Sequence, residues 1–296
     1  MATANPWLSG AGFDAYRSAG WRYLAIALVF LVLVVEILAK AAGGGSVTPQ
    51  TISSYVNKPV PASLVRTLDT ASQAGLRFTG GPAPLSVQVK VSNATGPVNG
   101  GPTLFYQGAN FCPYCAAERW ATMLALLRFG RFTGLHYMAS NPNDVYPNTP
   151  TFTFDKMTYT SAYLHFDAAE TVNRTDTAPL QTPSKANNAA LTKYDSVKYV
   201  GQAAANGPTI PFLDLANRYV WVGAPYNPTD LASKLWPTIA QELVTAARTG
   251  SGNANVLAIL HGANIYTAAI CSADGERPAA VCSAPGVVAA KGELPK

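Results

Sequence analysis

The spacing Cys112-x-x-Cys115 constrains the fold of this chain more than any other feature. The pair follows a short apolar segment, 103–106, that is typical of a buried β-strand. It is followed by a segment with helical spacing of its apolar residues that ends near Gly130, and Pro113 suits the first turn of a helix. The sequence therefore predicts a strand, a loop and a helix, with both thiols at the helix N-terminus.

A helix N-terminus favours a thiolate, because its dipole and its free backbone N–H groups stabilise negative charge. Cys112 is therefore the candidate nucleophile, and Cys115, one turn further on and expected to be buried, is the candidate resolving cysteine. The same spacing is half of a zinc site. No second pair of this kind completes four ligands, so we expect no metal and no other cofactor.

The other two cysteines, Cys271 and Cys282, lie in a Pro-, Gly- and Ser-containing segment near the end of the chain. A disulfide between them would close a short loop and add about 3 kcal/mol of stability in the chain-entropy model. A structural disulfide is the favoured interpretation. A second redox centre that exchanges electrons with Cys112 and Cys115 is the alternative.

The N-terminal part contains an apolar run, residues 23–39, close to the ~20 residues that span a bilayer. Basic residues before it, Arg17 and Arg22, favour a cytoplasmic segment 1–22, a transmembrane anchor 23–42 and an external C-terminal domain. A cleaved signal peptide is the alternative. The Gly-rich stretch that follows predicts a flexible linker over 43–58.

The segment 59–290 is predicted to form one extracytoplasmic domain in which helices and strands alternate. Helical periodicity marks 62–71, 187–205, 229–247 and 255–270. Strand patterns mark 85–91, 103–106, 135–139, 209–214 and 218–222, and the segments 152–154 and 163–166 alternate like a small hairpin.

Composition excludes several function classes. Only 12% of residues are charged, and the net charge of +5 is spread without clusters, so no nucleic-acid partner is expected. No Ser/His/Asp ordering, Gly-rich phosphate loop or carboxylate pair supports a hydrolase or a kinase.

The order of these features resembles the thioredoxin superfamily, and the long stretch between Cys112 and Pro211 resembles the insertion of DsbA-like oxidoreductases. The resemblance implies an α/β thioredoxin-like fold with an insertion between the redox helix and the cis-proline strand. It makes Pro211 the cis-proline and Ile210 its substrate-pairing neighbour. Pro113 and Tyr114, between the cysteines, are further candidates for substrate contact.

More specifically, the stretches 111–120, 128–130, 146–152 and 269–282 are similar to a prokaryotic family catalogued as domain of unknown function 929. The likeness covers roughly residues 60–283. It implies a thioredoxin-like fold and redox chemistry rather than a known reaction.

One position departs from thioredoxin itself, since the buried acid expected before the first cysteine is replaced by Tyr106. Glu118, one turn beyond Cys115, or a water molecule is the candidate proton acceptor instead. An adjacent acid and base such as Glu118 and Arg119 is more often a solvated helix face, which is the competing interpretation.

Together these features predict a membrane-anchored, extracytoplasmic thiol–disulfide oxidoreductase. Its expected partners are protein thiols and disulfides, the membrane through the N-terminal helix, and a membrane redox protein. The alternative is a non-catalytic thioredoxin-like binding module, or a copper carrier that uses the same two sulfurs.

Overall fold

A five-stranded mixed sheet organises the part of the chain that the computed structural model describes, residues 47–201, 208–232 and 234–296. The strands are β1 (Val87–Lys90), β2 (Thr103–Gly108), β3 (Gly130–Thr133), β4 (His136–Ala139), β5 (Pro150–Thr153), β6 (Thr158–Ser161), β7 (His165–Glu170), β8 (Phe212–Leu215) and β9 (Tyr219–Val222). The helices are α1 (Pro49–Tyr55), α2 (Ala62–Gly75), α3 (Pro113–Leu127), α4 (Lys185–Tyr194), α5 (Val197–Val200), α6 (Trp236–Thr249), α7 (Ala254–Asp274), α8 (Ala279–Cys282) and α9 (Pro285–Lys291).

The order of strands in the main sheet is β1-β9-β8-β2-β7. Strand β2 pairs in parallel with β7 on one side and antiparallel with β8 on the other, and β9 pairs antiparallel with both β8 and β1. The predicted mixed α/β class is confirmed at this level. A parallel pair requires a crossover, and the long segment from α3 to β6 supplies it.

The sheet separates two apolar layers, because alternate residues of each strand point to opposite faces. In β2, Leu104 and Tyr106 belong to the larger cluster, while Phe105 belongs to the smaller one. Helices α2, α3, α6 and α7 contribute to the larger layer, and α4 and α5 cover the other face through residues such as Leu191. Strand β2 is therefore covered on both faces, next to the cysteines that follow it.

Two small antiparallel sheets lie between α3 and β7, where the sequence predicted a hairpin of 152–154 with 163–166. That pairing is wrong. Strand β5 pairs with β4, β6 pairs with β3, and β7 joins the main sheet. Alternation of apolar and polar residues indicates that a segment is a half-buried strand, but it does not indicate which strand it pairs with.

Helix α1 lies within the stretch that was expected to be a flexible linker, which corrects the domain boundary. The Thr48 hydroxyl accepts a hydrogen bond from the Thr51 N–H at 3.1 Å, capping the helix, and Ile52 is 1% exposed. The Asn57 N–H donates to the Tyr137 carbonyl at 2.9 Å. The compact unit accordingly begins at Val47, since the Gly-rich composition behind the linker prediction ends just before it.

Two predicted helices are shorter or divided. Residues 228–231 form a 3-10 turn and α6 begins at Trp236, because Pro237 fits the first turn of a helix and not its interior. The segment predicted over 187–205 contains α4 and α5, separated where Asp195 leaves the helical conformation, and residues 202–205 lie outside the described residues.

In the described ranges, α7 is the one helix long and apolar enough to cross a membrane, and 89% of its most hydrophobic window is buried inside the domain. Its residues pack in the larger apolar layer as a core helix. The predicted cytoplasmic segment 1–22, the transmembrane anchor 23–42 and the start of the linker lie outside the described residues.

Candidate functional site

The loop after β2 places Cys112 at the N-cap of α3. Its backbone is extended, with φ of −73° and ψ of 122°, and Pro113 follows in the first turn. The Cys115 N–H donates to the Cys112 sulfur at 3.2 Å, and the Ala116 N–H donates to the Cys112 carbonyl at 3.0 Å. The first sulfur therefore occupies the position of a capping group at a helix N-terminus.

Both thiols are free, and they differ in their contact with solvent. Cys112 is 5% exposed and Cys115 is 0% exposed, whereas Tyr114 between them is 40% exposed. Only Cys112 can meet an external sulfur directly. Of the two predicted roles, attack on an external sulfur needs the more accessible thiol, and resolution can be carried out by a buried one.

The two thiols have pKa values shifted in opposite directions. The hydrogen bond from the Cys115 thiol lowers the pKa of Cys112, and this effect outweighs burial; backbone N–H groups and the Arg119 charge act in the same direction. Burial raises the pKa of Cys115 well above its ordinary value, and the neighbouring Cys112 adds to this rise. Cys112 is thus the sulfur that ionises first.

Residues from three other segments surround the sulfurs. Ala109 packs with both cysteines, and Phe111, Val172 and Ile210 pack against this small cluster. Ile210, the predicted substrate-pairing residue, therefore lies beside the two cysteines. The Ile210–Pro211 peptide bond is cis, and Pro211 is buried.

On the outer side of the site, the exposed Tyr114 ring meets Tyr146 edge to face, with ring centroids 5.8 Å apart. Tyr146 belongs to the loop between β4 and β5, and its hydroxyl accepts a hydrogen bond from the Asn227 amide at 2.8 Å. The two rings form an aromatic rim beside Cys112. Sequence reasoning named Tyr114 but gave Tyr146 no role at the site.

A buried ion pair lies one helical turn beyond Cys115. Arg119 of α3 donates from Nε to Glu170 Oε1 at 2.8 Å and from Nη2 to Glu170 Oε2 at 2.5 Å, and both side chains are 0% exposed. The interpretation of Glu118 and Arg119 as a solvated face is wrong, because every residue of α3 except Tyr114 is buried and both residues find internal partners.

Glu118 binds other groups of the protein interior. Its two carboxylate oxygens accept hydrogen bonds from the Thr122 hydroxyl at 2.7 Å and from the Tyr266 hydroxyl at 2.9 Å. Burial raises the pKa of Glu118 to about 8. The structure brings Cys112, Cys115 and Ile210 together, and it gives both oxygens of the proposed proton acceptor to partners other than Cys115.

Glu170 is the functional candidate that the sequence did not reveal. It ends β7, where strand pairing sets it beside Gly108, the residue just before Ala109 in the approach to the cysteines. Nothing in its local sequence points to the site. The available signal was an arginine on a predicted core helix, Arg119, which requires a buried acid for charge compensation.

The remaining predicted pair, Cys271 and Cys282, forms a disulfide at the end of α7. Both residues are buried, at 1% and 5% exposure. Across the described residues, no group of three or more His, Cys, Asp or Glu side chains could hold a metal ion. The described part of the chain therefore brings no third ligand of these types to the free thiols of Cys112 and Cys115.

These features define a mixed α/β protein with a vicinal dithiol at the N-terminus of a core helix. The chain belongs to the family described as Domain of unknown function (DUF929), whose profile matches residues 87–272, more than half of its length. The matched region includes both candidate redox cysteines, Ile210 and Glu170. Searches of curated proteins and of solved structures gave no significant match.

Proposed function

We propose that this protein is a thiol–disulfide oxidoreductase of thioredoxin-like fold that acts on protein thiols and disulfides outside the cytoplasmic membrane. The observation that carries the proposal is the Cys112 sulfur at the N-cap of α3, accepting the Cys115 N–H at 3.2 Å. A thiolate held there beside a second free thiol is the chemistry that disulfide exchange requires.

The order of elements supports the thioredoxin-like part of the proposal. A strand, β2, precedes the dithiol helix, and the segment after Pro211 forms the paired strands β8 and β9, followed by helices. Ile210 packs against the cysteine cluster, where its backbone can meet an extended substrate segment. The aromatic rim of Tyr114 and Tyr146 adds an apolar surface for that segment.

Exchange follows from the two environments. The Cys112 thiolate attacks a substrate disulfide, forming a mixed disulfide and releasing one substrate thiolate. Cys115 then ionises and attacks the Cys112 sulfur, which forms the Cys112–Cys115 bond and expels the second substrate thiolate. The substrate disulfide is reduced by two electrons and the cysteine pair is oxidised; the reverse sequence oxidises a substrate dithiol.

The external, membrane-anchored location is part of the same proposal. It rests on the apolar run 23–39 with its preceding basic residues, and on the Cys271–Cys282 disulfide, which is a bond typical of oxidising compartments. Alkylation of intact cells with a membrane-impermeant thiol reagent, after mild reduction, tests it. Labelling of Cys112 only after the cells are lysed would contradict the external location.

The reduction potential of the Cys112–Cys115 pair tests the activity. Protein is equilibrated in graded glutathione buffers and alkylated, and each cysteine pair is scored separately by peptide mass. A value near −120 mV indicates a disulfide donor and a value near −270 mV a reductase. A pair that resists reduction below about −300 mV would contradict redox turnover and favour a static binding module.

Variants Cys112→Ala and Cys115→Ala complete the test. The first should abolish turnover, and the second should accumulate mixed disulfides with substrate proteins. The copper carrier would instead be supported if the unmodified chain shows no turnover of substrate proteins, Cys115→Ala traps none of them, and the chain binds Cu(I) stoichiometrically.

A further inference from the structure

Arg119 lies on the same face of α3 as Cys115, since residues four apart on a helix are neighbours. Its guanidinium is fully buried and fixed from two directions. Glu170 accepts both its Nε and its Nη2 groups, and the Ala109 carbonyl accepts Nη2 at 2.8 Å. Burying this charge costs desolvation energy that an apolar side chain of similar size would avoid, so packing alone does not account for it.

The guanidinium borders the cysteine cluster through Ala109, which packs with both sulfurs. Its Nη1 group has no hydrogen-bond partner among the described residues. The positive charge lowers the pKa of both thiols, although burial remains the dominant effect on Cys115. A positive charge held one helical turn from a thiol that must ionise is placed to stabilise the resulting anion.

The other ionisable group beside the pair does not compete for this role. Burial raises the pKa of Tyr106 well above its ordinary value, so its hydroxyl stays neutral, and this side chain stands where thioredoxin carries a buried acid. Its ring lies 5.8 Å from the guanidinium carbon of Arg119, with its hydroxyl against Gly108. The charges facing Cys115 are therefore Cys112, Arg119 and, behind Arg119, Glu170.

We propose that Arg119, held by Glu170, is a positioning residue that stabilises the Cys115 thiolate while the mixed disulfide is resolved. This inference rests on the proposed function. In the step, Cys115 loses its proton to solvent and attacks the Cys112 sulfur, the Cys112–Cys115 bond forms, and the Cys112–substrate bond breaks. Its electron pair leaves on the substrate sulfur, which takes up a proton from solvent. Glu170 fixes the guanidinium and also offsets part of its charge.

This arrangement predicts opposite effects for the two members of the ion pair. Arg119→Gln removes the positive charge and should raise the pKa of Cys115 by about one unit. Glu170→Gln leaves the positive charge uncompensated and should lower that pKa by a similar amount. Because a weaker base is also a weaker nucleophile, the resolution rate at neutral pH should change only about threefold, slower for Arg119→Gln and faster for Glu170→Gln.

The experiment starts from the full chain carrying thionitrobenzoate on Cys112. Attack by Cys115 releases the coloured thiol, and its rate is followed against pH to give the apparent pKa of Cys115. Arg66→Gln is the control, because it removes the same charge at an exposed position of α2, away from the cysteines. Its rate profile should match that of the unmodified chain. Arg119→Lys keeps the charge and should retain most of the rate.

Because Arg119→Gln and Glu170→Gln should change the release rate in opposite directions, the experiment separates an electrostatic effect from structural damage, which would slow release in both variants. Equal rates in all variants, or slowing in both, would overturn the inference while leaving the proposed function intact if the unmodified chain releases the thiol. If Arg119→Gln does not fold, faster release by Glu170→Gln decides alone, and its absence counts against the inference. Failure of the unmodified chain to release the thiol would instead overturn the proposed function.

Discussion

At the scale of single residues, two neighbours on α3 show how differently a buried charge can be accommodated. Arg119 is paired with a carboxylate, whereas Glu118 accepts hydrogen bonds only from the neutral hydroxyls of Thr122 and Tyr266. Glu118 therefore avoids the cost of burying a negative charge by remaining protonated. With its pKa raised to about 8, the folded protein holds Glu118 neutral at neutral pH.

This state makes stability depend on pH in a defined direction. The unfolded chain has the ordinary glutamate pKa, 4.5. Between pH 4.5 and about 8, the folded state therefore holds a proton on Glu118 that the unfolded chain has lost. The stability that this proton contributes is complete below pH 4.5 and is lost as the pH rises through about 8. We expect the free energy of unfolding to fall by a few kcal/mol across this window.

The variant Glu118→Gln tests this by urea unfolding at several pH values. It removes the titrating group while an amide still bonds to the two hydroxyls, so the pH slope should flatten and the variant should be the more stable protein in alkaline buffer. Glu276→Gln is the control, because the Glu276 side chain is about half-exposed. An unchanged slope in Glu118→Gln would show that Glu118 is not the group responsible.

At the scale of elements, Arg128 joins three helices. It caps the C-terminus of α3 and donates to the Ser72 carbonyl of α2 at 3.3 Å, and to the Ala263 carbonyl and Thr267 hydroxyl of α7 at 3.1 and 2.6 Å. These helices form the layer behind the sheet. The guanidinium therefore holds the dithiol helix in place from its far end.

We expect Arg128→Ala to destabilise the protein by about 2–5 kcal/mol, because it leaves a cavity and removes three buried hydrogen bonds. Urea unfolding measures the loss. Arg66→Ala, at an exposed position of α2, is the control and should change stability by less than about 0.5 kcal/mol. A loss in Arg128→Ala no larger than in the control would contradict the role of Arg128 as a cross-link.

The elements also show what a single sequence can predict. Periodicity and turn residues located α2, α3, β1, β2, β8 and β9, since each depends on neighbours within a few positions. Pairings such as β2 with β7 depend on residues far apart in the chain, which is why the predicted hairpin was wrong. The sequence named Cys112 and Cys115 from a local motif and Ile210 from the thioredoxin resemblance, but it did not name Glu170, which that parallel pairing sets near Arg119.

At the scale of the whole molecule, the Cys271–Cys282 disulfide secures the C-terminal end of the domain. It links the last turn of α7 to α8, and α9 then returns to α2 through the Gly286 N–H, which donates to the Leu76 carbonyl at 2.9 Å. Gly286 is needed there, because a Cβ would clash with the Phe78 carbonyl oxygen. The disulfide thus restrains a segment that covers the core helices.

Replacing both cysteines, Cys271→Ala with Cys282→Ala, should lower the free energy of unfolding by about 3 kcal/mol, since the two cysteines close a short loop and are 11 positions apart in the sequence. Denaturant unfolding under non-reducing conditions measures this. Redox turnover by Cys112 and Cys115, assayed where the variant is fully folded, should be unchanged. The matched variant Ser272→Ala keeps the disulfide and should retain full stability.

The same variant decides between the two interpretations of this pair. A structural disulfide contributes only to stability, so its removal leaves the chemistry at Cys112 intact once folding is restored. An electron relay would require contact between the two pairs during turnover, and its removal would stop recycling even in a folded protein. Loss of turnover in a fully folded Cys271→Ala/Cys282→Ala protein would therefore assign these cysteines to the redox path, and full turnover would make them a structural clamp alone.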